Sequence, residues 1–403
     1  MELDFSSAQF LRDPYPVYSQ LRQEAPIVWD QPSKMWIISA YEDVSALLRD
    51  RRLGRAIEPD RAAPPILETL SAFHRLDEHS LFDKEPPEHT RLKSLVQSVF
   101  TPRRAEALRP KIQSTADELL EAALEHESFD LLADYAVPLP VYVISDLLGI
   151  PQADRGRLRP WSAAIVAMYE LEHTCEQERR AVEAAAEFWD YLGWLAEERR
   201  RDPQDDLISA LAGATEPGTG ARLSEPELIA NCILLLNAGH EATVNGFGNG
   251  MLALFKHPDQ LGRLRGDLSP DLVRQTVEEM LRFDTPLQLF KRWVRDDLDY
   301  KGIQFKERER VALLFGSANR DPKRFPHPAK LDIARVDNPH LAFGAGTHYC
   351  LGAPLARLEL AISLDALLRR APGLVLIEEP ERRESFVIRG LVSLKCRASR
   401  SVK

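Results

Sequence analysis

One cysteine lies in a segment whose composition favours an ionised sulfur. Cys350 follows Gly344 and Gly346 and precedes Gly352, and an Ala- and Leu-rich stretch typical of a helix begins at Ala353. Glycines let the backbone adopt conformations closed to other residues and let a flat ligand approach closely. The amides and dipole at a helix N-terminus favour a thiolate over a thiol. Cys350 is therefore either an anionic ligand to a metal such as iron or a buried structural cysteine.

A long apolar segment carries two polar residues at its centre. Ser224 and Glu227 form an S-x-x-E capping box, which predicts the start of a helix that ends near His257, before a proline. The middle of this helix changes abruptly from apolar residues to His240 and Glu241. Because an unpaired buried charge is costly, these two side chains require a specific role.

Other catalytic motifs are incomplete or missing. His240 and Glu241 resemble the start of H-E-x-x-H, but Val244 stands where the second histidine should be, which argues against a zinc protease. Neither a phosphate-binding G-x-x-x-x-G-K-[ST] loop nor a strand-linked G-x-G-x-x-G is found, so nucleotide binding has no support. The four cysteines share no C-x-x-C spacing, so neither a disulfide framework nor a zinc ribbon is indicated.

The composition is that of a globular protein. The 403 residues are 44% hydrophobic and 28% charged, and no linker divides them, so we predict a single domain over residues 1–403. The net charge of -10, with acids and bases interspersed, gives no reason to expect nucleic acid as a partner. The N-terminus lacks the pattern of a signal peptide, and no apolar stretch is long enough to span a membrane. We expect a cytoplasmic protein without a membrane anchor.

Hydrophobic periodicity predicts a mainly α fold with two small β regions. Ile27–Trp29 and Met35–Ile38 flank turn-forming residues and predict a hairpin, and a second β region is predicted from Trp293 to Phe315. The clearest amphipathic helices are predicted at Arg104–Glu125, Glu187–Arg200 and Asp271–Arg282.

The segment from Phe343 to Gly352 resembles the haem-binding signature of the cytochrome P-450 family, F-G-x-G-x-H-x-C-x-G, at every fixed position. The resemblance implies the family's fold, which is mainly α with small β-sheets, a long central helix and a haem buried between that helix and the cysteine loop. It also implies haem b (iron protoporphyrin IX) as cofactor, with Cys350 as the axial ligand whose electron density favours O–O cleavage. Phe343, Gly344, Leu351 and Gly352 would contact the cofactor or its sulfur ligand, the last two through backbone amides.

Further motifs of the family occur in the expected order. Glu279 and Arg282 resemble the E-x-x-R pair, whose charges meet on one helix face, and Arg335 resembles the third member of that buried ion network. Ala318–Pro322 and His340–Phe343 match the stretch that leads into the haem loop in bacterial members. The resemblance therefore spans nearly the whole chain, and it implies a structural role for the three charged residues.

Four basic residues match positions that the family uses to bind the haem propionates. These are Arg292, His348, His89 and, where arginine is usual, Lys93. A lysine keeps the charge but loses the bidentate fork of arginine. Without the resemblance, Arg292 would be interpreted as a solvated strand residue and His89 as a helix-capping residue.

The long helix departs from the family pattern A-G-x-[D/E]-T. The chain has Ala238, Gly239, His240, Glu241, Ala242 and Thr243, so the acid is present and the usual threonine is replaced by Ala242. In the family that threonine hydroxyl helps to deliver protons during oxygen activation. Our hypothesis is that a substrate hydroxyl, or an ordered water near Glu241 and Thr243, completes the proton relay.

The resemblance implies a monooxygenase that inserts one atom of O2 into a hydrophobic small molecule, such as a terpenoid, steroid, fatty acid or polyketide. Electrons would come from a separate ferredoxin and its reductase, and the protein would be a monomer. Two alternatives stay open: a haem-thiolate sensor without turnover, and a peroxide-driven oxygenase of the same fold. Specificity would be set by Ala72–Phe82, by Trp161–Glu172 and by six candidate pocket residues, Leu234, Ala238, Leu287, Leu289, Phe386 and Val387.

Overall fold

The computed structural model describes residues 3–56, 70–216 and 218–398. These residues form sixteen α-helices. In chain order the helices are α1 Ala8–Arg12, α2 Tyr15–Glu24, α3 Tyr41–Leu47, α4 Ser71–His79, α5 Glu88–Val99, α6 Pro102–Ala107, α7 Arg109–Ala123, α8 Pro138–Leu148, α9 Arg155–Val166, α10 Cys175–Arg201, α11 Leu207–Gly213, α12 Glu225–Lys256, α13 Pro258–Gly266, α14 Pro270–Phe283, α15 Phe315–Ala318 and α16 Ala353–Arg370.

The described strands form three small sheets. The strands are β1 Ile27–Asp30, β2 Met35–Ile38, β3 Leu53–Gly54, β4 Ser128–Asp130, β5 Leu289–Val294, β6 Leu298–Tyr300, β7 Ile303–Phe305, β8 Arg310–Leu314, β9 Val375–Leu376 and β10 Lys395–Arg397. The largest sheet has the order β1-β2-β8-β5-β3, a second has the order β4-β10-β9, and β6 pairs with β7. The predicted class, mainly α with small sheets, is confirmed.

The described residues fall into two compact units. Unit 1 comprises residues 3–54, 109–139 and 242–398, and it contains all of the described strands. Unit 2 comprises residues 55–56, 70–108, 140–216 and 218–241, and it is helical. The single domain predicted over residues 1–403, which includes residues outside the described ranges, stays a prediction.

The β regions of unit 1 differ from the prediction in how they are joined. The hairpin is confirmed, since Ile27 pairs with Ile38 and Asp30 with Met35 in antiparallel register. The second region begins at Leu289 rather than at residue 293, and its strand β8 pairs in parallel with β2. The hairpin and strands β5 and β8 of the second region therefore belong to one sheet, while β6 and β7 form their own, because strands distant in sequence pair in a way that local periodicity does not reveal.

The amphipathic helices are found, with one break. The predictions near Glu187–Arg200 and Asp271–Arg282 are confirmed by α10 and α14. The single helix predicted at Arg104–Glu125 is wrong, because the chain forms α6 and α7 with an interruption at Leu108. Pro110 explains the break: its ring clashes with a carbonyl one turn earlier, and it lacks an amide hydrogen.

Helix α12 begins at the predicted capping box. The backbone N–H of Ser224 donates to Oε2 of Glu227 at 2.8 Å, and the backbone N–H of Glu227 donates to Oγ of Ser224 at 3.4 Å. The helix ends at Lys256 and spans 32 residues, which corresponds to a length of about 48 Å. Its first part, to Glu241, belongs to unit 2, and the remainder belongs to unit 1.

One hydrophobic cluster of unit 1 joins the large sheet to the segment that carries the cysteine. Phe315, Leu341 and Ala345 are buried together with strand residues such as Val311 and Leu313. The polypeptide on the N-terminal side of Cys350 is thus anchored in this core through Leu341 and Ala345, although the cysteine itself is exposed.

Candidate functional site

The cysteine loop is closed by backbone hydrogen bonds. The N–H of Cys350 donates to the carbonyl of Phe343 at 3.0 Å, and the N–H of Tyr349 donates to the carbonyl of Gly346 at 3.1 Å. Helix α16 follows with Gly352 as its N-cap residue. The exposed sulfur of Cys350 therefore lies at the start of a helix, where the dipole and the first amides favour an anion.

Two glycines allow the loop to form. Gly344 and Gly346 have φ values of +68° and +71°, in the left-handed region that side chains disfavour. A Cβ at position 346 would lie 2.5 Å from the carbonyl oxygen of Leu48, so any larger residue there would push into the backbone that precedes β3. A Cβ at Gly352 would lie 3.9 Å from Sγ of Cys350, which is an ordinary contact distance.

The three predicted members of the ion network meet in unit 1. Glu279 accepts hydrogen bonds from Nε and Nη2 of Arg282 at 2.7 and 2.8 Å, and from Nε of Arg335 at 3.1 Å. Neither Glu279 nor Arg282 has an exposed side chain. Glu279 also accepts from the backbone N–H of Asp332 at 2.9 Å, so the network fixes α14 to the segment that leads into the cysteine loop.

Arg292 is a buried cation on strand β5. Only 2% of its surface is exposed, and it pairs with Val311 of β8 in the sheet register. Its Nη1 donates to the carbonyl of Lys291 at 3.1 Å, and its guanidinium lies 4.6 Å from the ring centroid of Phe290. The arginine is thus held by the sheet rather than solvated. His348 lies in unit 1 as well, at the end of the short 3-10 turn within the cysteine loop.

The other two predicted propionate contacts lie on helix α5 of unit 2. His89 is 1% exposed and Lys93 is partly buried. The two residues are four positions apart, so they share one face of the helix. A histidine and a lysine on one helix face provide donors for an anionic group.

One face of α12 is less buried than the rest. Leu234, Ala238 and Ala242 recur every fourth residue, and each is more exposed than most of its neighbours, which are buried. A Cβ at Gly239 would meet no other heavy atom within 4 Å. This face, made of small residues and one leucine, is therefore the least covered part of the central turns of α12.

The polar residues of α12 lie in its buried part. Nδ1 of His240 lies 3.6 Å from Oε1 of Glu241, and the two residues are 1% and 6% exposed. Thr243 is 9% exposed. Because consecutive helical residues differ by about 100° around the axis, the hydroxyl of Thr243 does not occupy the direction of Ala242.

The remaining candidate pocket residues lie in unit 1. Leu287 is partly buried and forms an isolated bridge with Ile388, and Leu289 belongs to β5 and is 1% exposed. The ring of Phe386 stacks on Phe5, with centroids 4.8 Å apart and planes 5° apart. Phe386 therefore packs against the N-terminal segment. The carbonyl of the neighbouring Val387, which is 4% exposed, accepts a backbone hydrogen bond from Gln288 at 2.9 Å.

A further cluster beside the cysteine loop was not predicted from the sequence. Glu278 accepts two hydrogen bonds from Arg357, at 2.7 and 2.9 Å, and lies 2.9 Å from Nε2 of His340. Arg357 also lies over the ring of Phe343, 4.3 Å from its centroid, and donates to the hydroxyl of Tyr349 at 3.1 Å. The only sequence signal is that Glu278 precedes the E-x-x-R glutamate and that Arg357 lies two helical turns after Cys350.

The electrostatics of this cluster favour an ion pair between Glu278 and Arg357. Burial alone would raise the pKa of Glu278, but the hydrogen bonds from His340 and Arg357 and the positive charge of Arg357 outweigh it and lower the pKa to about 2. The same carboxylate raises the pKa of the Arg357 guanidinium despite partial burial. Both groups are therefore charged at neutral pH.

The donor set of unit 1 fits an iron porphyrin. An exposed cysteine sulfur at a helix N-terminus can bind iron as a thiolate, and Gly344 and Gly346 allow the turn of the loop that presents it. The buried guanidinium of Arg292 suits a carboxylate such as a propionate.

Known proteins resemble this chain over nearly its full length. The sequence model described as cytochrome P450 matches residues 158–371. The biotin biosynthesis cytochrome P450 of Bacillus subtilis is 37% identical over 96% of this chain and 97% of its own length, and the cytochrome P450 monooxygenase PikC of Streptomyces venezuelae is 38% identical over 98% and 94%. A crystal structure of P450BioI with acyl carrier protein ligated to hexadec-9Z-enoic acid superposes with a TM-score of 0.91, at 36% identity, over 98% of this chain and all of that one.

The described helices do not meet the requirements of a membrane span. Within the described ranges, none combines the length and the apolar character that a span requires. Relatives named cytochrome P450 monooxygenase and 6-deoxyerythronolide B hydroxylase are 38% and 35% identical over 98% of this chain, which makes this protein an oxidoreductase. On the matched family model, the identity to full-length relatives and the structural agreement, the chain belongs to the cytochrome P450 family.

Proposed function

We propose that Cys350 binds the iron of haem b as a thiolate, and that the protein inserts one atom of O2 into a hydrophobic small molecule. The observation that carries this proposal is the exposed sulfur at the N-terminus of α16, after a loop that Gly344 and Gly346 make possible. When bound, the haem supplies the chemistry of oxygen activation. The protein's task is to hold the sulfur in place, orient the substrate and deliver protons.

Backbone amides and aromatic packing complete the sulfur side of the proposed site. The N–H groups of Leu351 and Gly352, at the start of α16, would donate to the thiolate and tune its potential. Phe343 and Gly344 would contact the cofactor from the loop. Support comes from the hydrogen bond that the backbone N–H of Cys350 donates to the carbonyl of Phe343, which holds Phe343 close to the cysteine.

Four basic residues would bind the propionates. These are Arg292, His348, His89 and Lys93, each through a hydrogen bond to a carboxylate of about 1.5–3 kcal/mol. The support is the burial of Arg292 and His89, which are 2% and 1% exposed, since a hydrogen bond to a carboxylate is stronger away from solvent.

The proton relay would use Glu241 with a hydroxyl that the helix itself does not supply. Ala242 lies where the family has threonine, and the direction of Thr243 differs by about 100°. We therefore expect a substrate hydroxyl or an ordered water near Glu241 and Thr243 to take this role. The burial of Glu241, which is 6% exposed, favours its use in proton transfer rather than as a solvated charge.

A hydrophobic product of secondary metabolism is the proposed substrate class. Relatives are named for biotin biosynthesis and for polyketide biosynthesis, and one relative was crystallised with a fatty acid carried on acyl carrier protein. Leu234 and Ala238, on the less buried face of α12, would contact an apolar substrate, and Leu287, Leu289 and Val387 are the other candidate contacts. A ferredoxin with its reductase would supply electrons, and the protein would act as a cytoplasmic monomer.

Oxygen consumption with a surrogate ferredoxin, its reductase and reduced nicotinamide tests the reaction. We expect consumption that depends on substrate and that is lost in Cys350→Ala. Binding of carbon monoxide with the red-shifted band of a thiolate-ligated haem, but no substrate-dependent consumption with any donor, would instead indicate the sensor. Turnover that hydrogen peroxide supports and that reductant does not would indicate the peroxide-driven enzyme.

Ala242→Thr tests the proton relay. If a substrate hydroxyl or an ordered water replaces the threonine, product formed per nicotinamide consumed should be high in the wild type and should change little in the variant. Poor coupling with the best substrate, sharply improved by threonine, would refute an adapted substitute. Ala238→Thr, one helical turn away on the same face of α12, serves as the matched control.

The substrate class is tested by the low-spin to high-spin shift of the haem. Free fatty acids, the same acids tethered to acyl carrier protein, terpenoids, steroids and macrolide precursors would be compared at equal concentration. A shift with at least one of these apolar compounds supports the class. Shifts confined to small polar compounds would contradict it.

A further inference from the structure

The side chain of Arg357 contacts both ends of the cysteine loop. Its guanidinium lies 4.3 Å from the ring centroid of Phe343, and its Nη1 donates to the hydroxyl of Tyr349 at 3.1 Å. Phe343 accepts the backbone hydrogen bond of Cys350, and Tyr349 immediately precedes the cysteine. One cation therefore joins the two residues that bracket the loop.

Glu278 fixes this cation from a different helix. Both of its carboxylate oxygens accept from Arg357, at 2.7 and 2.9 Å, so α14 holds the guanidinium in a bidentate pair. His340 is the third residue in contact, through Glu278. Its Nδ1 accepts from the backbone N–H of Ala342 at 3.2 Å, which leaves Nε2 as the donor to Glu278 at 2.9 Å. We call Glu278, His340, Phe343, Tyr349 and Arg357 the loop latch.

The loop needs such a latch because its own sequence constrains it weakly. Two of its residues, Gly344 and Gly346, are glycines in the left-handed region, and glycine loses more conformational freedom on ordering than any other residue. Tyr349 is 42% exposed, so the residue that precedes the cysteine has little packing of its own. Contacts from Arg357 replace that missing packing.

We propose that Arg357, held by Glu278, is a positioning residue that keeps the cysteine loop in the conformation in which Cys350 binds haem iron as a thiolate. The inference rests on the proposed haem-thiolate function. Arg357 does not touch the reacting atoms in this proposal; it acts through Phe343 and Tyr349. Its loss should shorten the lifetime of thiolate ligation well before it unfolds the protein.

Arg324 offers a matched control in the same unit. It forms a bidentate pair with Asp337 at 2.8 and 2.8 Å, and its guanidinium lies 5.6 Å from the ring centroid of Phe325. Both of these contacts lie outside the cysteine loop. Arg324→Gln therefore removes the same kind of interaction as Arg357→Gln, at a distance in sequence from Phe343 and Tyr349.

The test follows the red-shifted carbon monoxide band of the ferrous holoprotein in moderate urea, below the unfolding transition measured by circular dichroism. Because the lost contacts are a charge-assisted bidentate pair and a cation–π contact, we expect Arg357→Gln to lose this band about tenfold faster than the wild type. Arg324→Gln should lose it at a rate within about twofold of the wild type, as expected for a more exposed pair. Equal rates in the wild type and Arg357→Gln would overturn the inference.

Two further variants keep the test decisive if Arg357→Gln does not fold. Tyr349→Phe removes only the hydroxyl that accepts from Arg357 and should accelerate loss of the band about two- to fivefold, as one hydrogen bond allows. Arg357→Lys keeps the charge but loses the bidentate fork, so it should restore the wild-type rate only in part. A wild-type rate in Tyr349→Phe would contradict the latch, and absence of the band in the wild type itself would overturn both this inference and the proposed function.

Discussion

Replacing Glu359 by glutamine should make the stability of this protein less sensitive to alkaline pH. Glu359 lies on α16, is 2% exposed, and has a pKa that burial raises to about 8. The native protein therefore holds a proton on this carboxyl at neutral pH, whereas the unfolded chain releases it near its ordinary value of 4.5. A glutamine side chain has nearly the same shape and never ionises.

The sign and size of the effect follow from this difference in pKa. Since the native pKa is raised, the contribution of Glu359 to stability is fully present below pH 4.5 and is lost as the pH rises through 8. Each pH unit within this window costs about 1.4 kcal/mol. Between pH 6 and pH 8 the free energy of unfolding should therefore fall by about 2 kcal/mol through this one carboxyl.

Urea unfolding at the two pH values measures this loss. The decrease from pH 6 to pH 8 should be about 2 kcal/mol smaller in Glu359→Gln than in the wild type. Glu125→Gln, at an exposed position just after α7, is the matched control and should leave the decrease unchanged. An identical pH dependence in Glu359→Gln and the wild type would refute the reasoning, because the carboxyl would then ionise alike in both states.

Three further predictions concern the surroundings of the cysteine loop. Glu279→Gln leaves a buried guanidinium without its carboxylate and should lower the free energy of unfolding, measured in urea, by about 3–5 kcal/mol; a loss below about 1 kcal/mol would contradict the buried network. Gly346→Ala should lower the free energy of unfolding by about 2 kcal/mol or more, since φ at this position is +71° and the new Cβ would lie 2.5 Å from the carbonyl oxygen of Leu48. Its control, Gly262→Ala within α13, places a Cβ where no atom lies within 4 Å and should raise the free energy of unfolding by about 0.5–1 kcal/mol. Because the native pKa of Glu278 is lowered to about 2, its stabilisation is present above pH 4.5 and is lost as the pH falls through 2. Glu278→Gln should therefore flatten the acid side of the stability curve, and an unchanged curve would contradict the ion pair.

The sequence predicted the features that depend on local chemistry. The capping box of Ser224 and Glu227 located the start of α12 correctly, and the apolar runs around a turn located the β1–β2 hairpin. The order of motifs around Cys350 indicated the family through residue types and spacing alone. Such signals are readable because the interacting residues lie within a few positions of one another.

The features that the sequence did not predict depend on distant pairing. The parallel pairing of β2 with β8 joins residues 35–38 to residues 310–313, and no local periodicity reports it. Glu278 and Arg357 are separated by 79 positions, so their ion pair could not be inferred from helical spacing. The break at Leu108 is different, because Pro110 is a local signal that periodicity outweighed in the prediction.

The most direct test of the whole account is the carbon monoxide spectrum of the reduced protein with Cys350 replaced by alanine. The wild type and Cys175→Ala, a change at another exposed cysteine, should both show the red-shifted band of a thiolate-ligated haem. Cys350→Ala should lose that band completely. Retention of the full band in Cys350→Ala, or a wild-type protein that binds no haem when iron and precursor are ample, would contradict the central claim.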